Sequence, residues 1–161
     1  MISIRKMTPE EFTGYREYSN EFRGRELSEA HQVTVDEGIK LANNELDDCL
    51  PFGLETRENY LLCIEAIRAR KTEVVGYLWY GYKSGDTSAF VYDIQIFPIY
   101  RGKGYGKHVF GLLEQTPTLQ GVKQLELLVA SDNKRAYKLY TELGFRATGI
   151  NMVKQTSNER I

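Results

Sequence analysis

Apolar and polar residues alternate at the start of the chain and then recur at helical spacing. The alternation over residues 2–6 predicts a first strand. Thr8, Pro9 and Glu11 form a capping box with proline in the first helical turn, so we predict a helix from about Pro9 to about Leu27. Its apolar stripe consists of Phe12, Tyr15, Tyr18 and Phe22.

A second capping box begins another helix soon afterwards. Thr34 stands three residues before Glu37, and the helical spacing stops at Pro51 and Gly53. The side of this helix that we expect to be buried consists of Ile39, Leu41, Leu46 and Leu50. Residues 8–57 are therefore predicted to form a pair of helices.

The rest of the chain is predicted to form three consecutive strands, followed by helices and strands in alternation. Aromatic and β-branched runs over residues 60–69, 73–83 and 89–97 are joined by short polar turns, which predicts an antiparallel meander. A helix after residue 106, a strand over 123–129, a helix over 133–143 and a last strand from 144 toward 153 follow. The predicted fold class is α/β (α+β), with a mixed, mostly antiparallel sheet in the order β-α-α-β-β-β-α-β-α-β.

Composition and charge exclude several classes of function. The 161 residues, 42% of them apolar, suit one globular domain over residues 1–161. The net charge of −1 argues against binding to nucleic acid or an anionic membrane, and no apolar run approaches the roughly 20 residues of a membrane span. Cys49 and Cys63 form no metal-binding or disulfide pattern, so we expect buried, reduced thiols, no metal and a cytoplasmic location.

Glycine and basic residues alternate between the end of the meander and the next helix. The run Arg101-Gly102-Lys103-Gly104-Tyr105-Gly106-Lys107 allows successive backbone N–H groups to point outward beside two lysines and an arginine. The N-terminus of the following helix adds about half a positive charge. This arrangement predicts a diphosphate site.

Two common diphosphate motifs do not fit this run. A Walker A loop has four residues between its glycines and Ser or Thr after the lysine, whereas three residues separate Gly102 from Gly106 and His108 follows Lys107. A dinucleotide fingerprint needs a third glycine where Val109 stands. Nicotinamide and flavin dinucleotides are therefore disfavoured.

Two separate motifs lie in the second half of the chain. Arg101, Gly104 and Gly106 form the pattern Arg-x-x-Gly-x-Gly. The second block spans residues 133–145 and consists of Asn133, Ala136, Leu139, Tyr140, Gly144 and Phe145. Both motifs resemble those of the GNAT superfamily of N-acetyltransferases. The resemblance covers roughly residues 60–155, and it implies an acetyl-CoA-binding core over 88–145 with the helical region 8–57 on the acceptor side.

The resemblance also implies roles for individual residues. The CoA diphosphate would lie on the amides of Gly102, Lys103, Gly104, Tyr105, Gly106 and Lys107, near Arg101. The pantetheine arm would lie along Ile94, Gln95 and Ile96, with Asn133 either binding that arm or only capping its helix. Tyr140 would protonate the departing thiolate. The base is left open between Asp93, Glu126 and a water-mediated route, because Leu128 replaces a glutamate found in some relatives.

The predicted function is transfer of acetyl from acetyl-CoA to a primary amine of a small molecule or peptide, by direct attack in a ternary complex. The alternatives are a non-catalytic CoA-binding sensor domain, and an acyltransferase that uses a protein N-terminus or a longer acyl-CoA. Residues 1–59 carry 13 acidic and 7 basic side chains, which favours a cationic acceptor. The carboxylates expected to bind it, together with Asp93, are Glu45, Asp47, Asp48 and Glu55. The oligomeric state is not predicted.

Overall fold

Helices flank a five-stranded sheet in the computed structural model, which describes residues 1–156. Residues 157–161 of the predicted domain lie outside that range. The strands are β1 (Ile2–Lys6), β2 (Asn59–Arg68), β3 (Lys71–Gly81), β4 (Ser88–Ile96) and β5 (Gln124–Leu127). The α-helices are α1 (Pro9–His31), α2 (Val35–Cys49), α3 (Tyr105–Glu114) and α4 (Lys134–Glu142). None of the helices in the described range is both long and apolar enough to cross a membrane.

Both predicted capping boxes are present and begin α1 and α2. The Thr8 hydroxyl accepts the Glu11 N–H at 3.2 Å, while the Glu11 carboxylate accepts the Thr8 N–H at 2.9 Å. The two helices then cross backbone to backbone, because a Cβ added to Gly38 would lie 2.1 Å from the carbonyl oxygen of Gly24. Leu41, which was predicted to lie on the buried side of α2, is 42% exposed instead.

The sheet has the order β1-β2-β3-β4-β5 and is mixed, as the sequence predicts. Neighbouring strands from β1 to β4 pair antiparallel, and β4 pairs parallel with β5. Ala69 and Arg70 form the tight turn between β2 and β3, with φ of 48° and 66°. Two positive φ angles in a two-residue loop are those of a type I′ hairpin, whose twist matches that of paired strands.

The predicted last strand is wrong for the described part of the chain. Residues 144–156 contain no strand there, and Ile150 and Met152 are 83% and 92% exposed. The alternation of apolar side chains in this segment suits a strand, but a strand also needs a neighbour whose backbone it can pair with. No such pairing forms along β5, which is only four residues long and pairs with β4 through residues 88–91.

The sheet separates two apolar cores. On one face, α3 contributes Val109, Phe110 and Leu113 to a cluster that Tyr140 and Phe145 join at its edge. On the other face, α1 and α2 cover Leu61, Cys63 and Trp79. Cys63 is buried as expected, but Cys49 is exposed because it lies on the solvent side of the last turn of α2.

An irregularity in β4 decides which side chains face α1. Trp79 pairs with Asp93 and Tyr80 pairs with Val91, so Tyr92 is an extra residue on β4. Val91 and Ile94 both belong to the α3 face. Tyr92 and Asp93 therefore both lie on the α1 face, since a β-bulge interrupts the strict alternation of sides.

Candidate active site

A gap between β4 and β5 leaves one edge of β4 open. The parallel pairing of these strands ends at Val91 and Leu127. Residues 94–96 continue to pair with β3, but within residues 1–156 no strand pairs with their other edge. The backbone groups on this edge are therefore available to an extended ligand, as an unpaired sheet edge is.

The glycine-rich loop leads into α3 with its backbone amides unused. Gly102 and Gly104 have φ of 77° and 78°, and Gly104 is the N-cap of α3. The first helical bond runs from the His108 N–H to the Gly104 carbonyl at 3.2 Å. In the described part of the chain, the amides of residues 102–107 have no hydrogen-bond acceptor. Outward N–H groups at a helix N-terminus are suited to a diphosphate.

Two of the predicted basic residues of this loop have protein partners. The Arg101 Nε donates to the Ile96 carbonyl oxygen at 2.7 Å, which fastens the loop to the end of β4. Lys107 forms an ion pair with Glu142 of α4, with 3.0 Å between Nζ and the carboxylate. Lys103 is exposed at the tip of the loop. The backbone amides are consequently the free donors of this loop, while Arg101 keeps its charge and also anchors the loop to β4.

Asp93 is half-buried beneath α1 and is held at both oxygens. The Tyr15 hydroxyl donates to Oδ2 at 2.9 Å, and the Gln95 side-chain amide donates to Oδ1 at 3.1 Å. Burial raises the pKa of Asp93 to about 6, although the two hydrogen bonds lower it. Such a carboxylate is mostly ionised at neutral pH and can still accept a proton.

Tyr140 lies at the end of α4, half-buried against two aromatic rings. Its ring centroid is 5.9 Å from that of Phe110 and 5.8 Å from that of Phe145, both edge to face. Burial, together with the negative charge of Asp93, raises the pKa of Tyr140 to about 12. The phenol therefore stays protonated at neutral pH and is able to donate its proton. Because the charge of Asp93 contributes to this shift, the predicted base lies within electrostatic range of the predicted acid.

In the described residues, Glu126 and Asn133 form no hydrogen bond or ion pair with Asp93 or Tyr140. Glu126 is exposed on β5, opposite Phe90, and lines a cavity of about 480 Å³ that Tyr92 also lines. The Asn133 side chain accepts the Ala136 N–H at 3.2 Å, which makes it the N-cap of α4. Leu128, at the position of the missing family glutamate, is 65% exposed.

Three of the carboxylates expected to bind a cationic acceptor have partners within the protein. Glu45 pairs with Arg23 at 3.1 Å, and Lys6 lies 3.6 Å from Glu55. The third pair joins Asp47 to Arg16 of α1. The excess acid of α2 is thus partly neutralised by bases of β1 and α1, which a count of charges along the chain cannot reveal.

Glu26 is a half-buried carboxylate of α1 that the sequence prediction missed. Burial raises its pKa, and an ion pair with Arg23 at 3.2 Å lowers it in part. The charge of Asp132, just before α4, is a smaller cause that raises it. The charge of Glu26 also contributes to the raised pKa of Asp93. Tyr15 was predicted only as part of an apolar stripe. Neither role could be read from the sequence, because each depends on where α1 crosses the sheet.

Comparison with known proteins gives a consistent result. Residues 15–145 match the Acetyltransferase (GNAT) family. The chain is 31% identical over 156 residues to the uncharacterised N-acetyltransferase YycN of Bacillus subtilis, covering 96% of this chain and 98% of that protein. The crystal structure of YycN superposes with a TM-score of 0.86, covering 97% of this chain and 99% of that one.

Two further proteins are similar over less of this chain. The mouse thialysine N-epsilon-acetyltransferase is 34% identical over 131 residues, covering 74% of this chain and 72% of that protein. The PaiA N-acetyltransferase of Thermoplasma acidophilum, crystallised with coenzyme A, has the same fold, with a TM-score of 0.65 at 18% identity over 94% of this chain and 93% of that one. On the family match and the close similarity to YycN over nearly its whole length, this chain belongs to the GNAT family and is an N-acetyltransferase.

Proposed function

We propose that the protein transfers acetyl from acetyl-CoA to a primary amine, by direct attack of the amine in a ternary complex. The observation that carries this proposal is that Asp93, held by two side-chain hydrogen bonds just beyond the point where β4 and β5 separate, is within electrostatic range of the protonated Tyr140. Because their pKa values lie on opposite sides of neutrality, one group can accept a proton while the other donates one.

The proposed acetyl-CoA site is the loop before α3 together with the open edge of β4. The diphosphate would accept hydrogen bonds from the amides of residues 102–107, and the pantetheine arm would pair with residues 94–96 as an added strand would. The residues present fit such a ligand, since positive φ at Gly102 and Gly104 turns the amides outward. The Thermoplasma acidophilum protein of the same fold was crystallised with coenzyme A, which supports a ligand of this class.

The proposed reaction moves one proton out of the acceptor and one onto the leaving group. Asp93 accepts the proton of the acceptor ammonium, and the neutral amine attacks the thioester carbonyl. A backbone amide of β4 stabilises the negative charge that develops on the carbonyl oxygen. As the carbon–sulfur bond breaks, Tyr140 protonates the thiolate, so the products are an amide and free CoA. This route needs no covalent enzyme intermediate.

The proposed acceptor is a cation that approaches from the α1 face. Glu26 is paired with Arg23 at 3.2 Å, and its charge still contributes to the raised pKa of Asp93, while that of Asp132 contributes to the raised pKa of Glu26. A cationic guest would relieve this repulsion between like charges. The mouse relative, named for acetylating the ε-nitrogen of thialysine, supports an amine of this kind.

The neighbouring cavity would receive the rest of the acceptor. Three carboxylates, two bases and three aromatic rings line it, namely Glu58, Asp86 and Glu126, Arg57 and Lys83, and Tyr82, Phe90 and Tyr92. The carboxylates outnumber the bases by one. Rings and carboxylates together suit an organic cation, because a ring face and a negative charge both attract it.

The test is release of free CoA thiol from acetyl-CoA in the presence of a panel of acceptors. The panel contains polyamines, aminoglycosides, basic peptides and neutral or acidic amino acids, each at low and at high salt. We expect turnover with cationic amines, and a kcat/KM that falls as salt rises. Propionyl- and longer acyl-CoAs, tested with the best acceptor, measure the preference for acetyl.

Two results would contradict the proposal. Binding of acetyl-CoA by calorimetry with no thiol release from any amine would favour a CoA-binding sensor domain. Preference for neutral or anionic acceptors, independent of salt, would leave the enzyme class intact and remove the cationic acceptor.

A further inference from the structure

Tyr15 lies in the second turn of α1 with its side chain fully buried. Its ring centroid is 5.2 Å from that of Tyr77, edge to face, and 6.5 Å from that of Phe12. These contacts hold the ring on both sides, so the hydroxyl has little freedom to move. That hydroxyl donates to the Asp93 Oδ2 at 2.9 Å, which joins the first helix to the bulged strand across 78 positions of sequence.

The Tyr15 contact and the Gln95 contact occupy different oxygens of the Asp93 carboxylate. Two fixed donors, one on each oxygen, set the rotation of the carboxylate about its bond to Cβ. The two oxygens have about four lone-pair directions between them, so the Tyr15, Gln95 and Ile94 donors leave about one for an approaching acceptor ammonium. The arrangement therefore orients Asp93 without blocking it.

We infer that Tyr15 is a positioning residue, which orients Asp93 toward the acceptor and keeps it ionised at neutral pH. This inference rests on the proposed role of Asp93 as the base. Its physical basis is that a hydrogen bond donated to a carboxylate stabilises the charged form, whereas burial favours the neutral form. Without the phenol hydroxyl, one side-chain donor remains instead of two, beside the weaker contribution of the Ile94 backbone N–H.

The other groups around Asp93 do not replace Tyr15. On α1, Glu26 is negatively charged and disfavours ionisation of Asp93. On α4, Tyr140 is neutral, since its own pKa is about 12. On β3, the residue paired with Asp93 is the uncharged Trp79. Gln95 is the remaining donor side chain, so loss of the Tyr15 hydroxyl should raise the pKa of Asp93 above about 6.

The experiment is a carbon-13 NMR titration of the side-chain carboxyl groups in protein labelled at its six aspartates. Asp93→Asn identifies the Asp93 signal. In Tyr15→Phe we expect the Asp93 midpoint to rise by about one pH unit, a roughly tenfold change in its ionisation equilibrium. The midpoint of the acidic limb of the kcat–pH profile, measured at saturating substrates, should shift to higher pH by the same amount.

Tyr18→Phe is the matched control, because it removes a phenol hydroxyl one turn further along α1. Its ring packs against Tyr77 and Phe97, and its hydroxyl has no contact with Asp93 in the described residues. This variant should leave the Asp93 midpoint unchanged. An equal rise in both variants would overturn the inference, since it would reflect general loosening of α1.

A second variant keeps the shape of Tyr15 in case the phenylalanine variant folds poorly. Site-specific incorporation of 3-fluorotyrosine at position 15 makes the phenol a stronger hydrogen-bond donor, so the Asp93 midpoint should fall. An unchanged midpoint in folded variants of both kinds would overturn the inference. A shifted midpoint with an unmoved kcat profile would support the Tyr15 contact and overturn only the assignment of Asp93 as base.

Discussion

The loop before α3 and the carboxylate site under α1 are built in different ways. The loop uses seven consecutive residues, 101–107, and its ligand-facing groups are mainly backbone amides. The carboxylate site combines Tyr15 of α1, Asp93 and Gln95 of β4, and Tyr140 of α4. Its parts come from opposite ends of the chain, and each contributes a side chain.

This difference teaches what each region depends on. A site of backbone amides needs the right φ angles at a few positions, so its glycines matter more than the identity of exposed side chains. A site of side chains needs its helices and strands in register, since a hydrogen bond weakens steeply once its geometry is lost. We therefore expect substitutions in the two regions to separate binding of acetyl-CoA from catalysis.

The largest expected effect is on the carboxylate side. Asp93→Asn keeps the size of the side chain and removes the base, so kcat/KM should fall about 10²-fold or more, with acetyl-CoA affinity within about twofold. Steady-state kinetics and calorimetry measure the two quantities. In the parent protein, activity should rise with pH through about 6, because Asp93 is active when deprotonated. If Glu126→Gln loses activity and Asp93→Asn does not, the base is on β5.

Tyr140→Phe should have the next largest effect. The phenol acts only as the thiolate leaves, so kcat should fall about 30-fold while acetyl-CoA affinity stays unchanged. Single-turnover kinetics establish that chemistry limits the measured rate. Tyr137→Phe is the control, because Tyr137 is 51% exposed on the same helix. Equal rates for Tyr140→Phe and the parent would make Tyr140 a packing residue of the α3 core.

Gly104→Val tests the loop. A Cβ at Gly104 has open space, but φ is 78°, where a β-branched residue is strained by about 1–3 kcal/mol. The loop should change conformation, and the Kd of acetyl-CoA measured by calorimetry should rise about tenfold. Gly111→Ala, also with open space around its Cβ but in the middle of α3, should leave the Kd unchanged. Equal affinity of Gly104→Val and the parent would remove the loop from the binding site.

The smallest expected effect concerns the charge that attracts the acceptor. Glu26→Gln should raise KM for a cationic amine about threefold at low salt, and the difference should shrink at high salt. Glu21→Gln is the control, since Glu21 is exposed on α1 and pairs with Arg25. If both variants change KM equally, the net charge of the protein attracts the acceptor, and the position of Glu26 near Asp93 does not contribute to acceptor binding.

Much of the fold could be predicted because its signals are local. The capping boxes at Thr8 and Thr34 mark where α1 and α2 begin, and the short turns of the meander predict antiparallel pairing. The strand expected after Gly144 was wrong, because a strand forms only against a neighbour and the four residues of β5 pair only with β4 over the described residues. The prediction that Leu41 is buried was wrong for a similar reason. The backbones of α1 and α2 meet at Gly24 and Gly38, and this crossing depends on both helices rather than on the spacing within one.

The sequence by itself determined the fold class, the helix starts and the loop over residues 101–107, because neighbouring residues produce each of these features. Only the tertiary structure decided which carboxylates are free to act. It pairs Glu45 with Arg23, and its bulge at Tyr92 turns Asp93 toward Tyr15. The physical reason is distance: ion pairing, burial and pKa depend on separation in space, and residues 78 positions apart become neighbours only after folding.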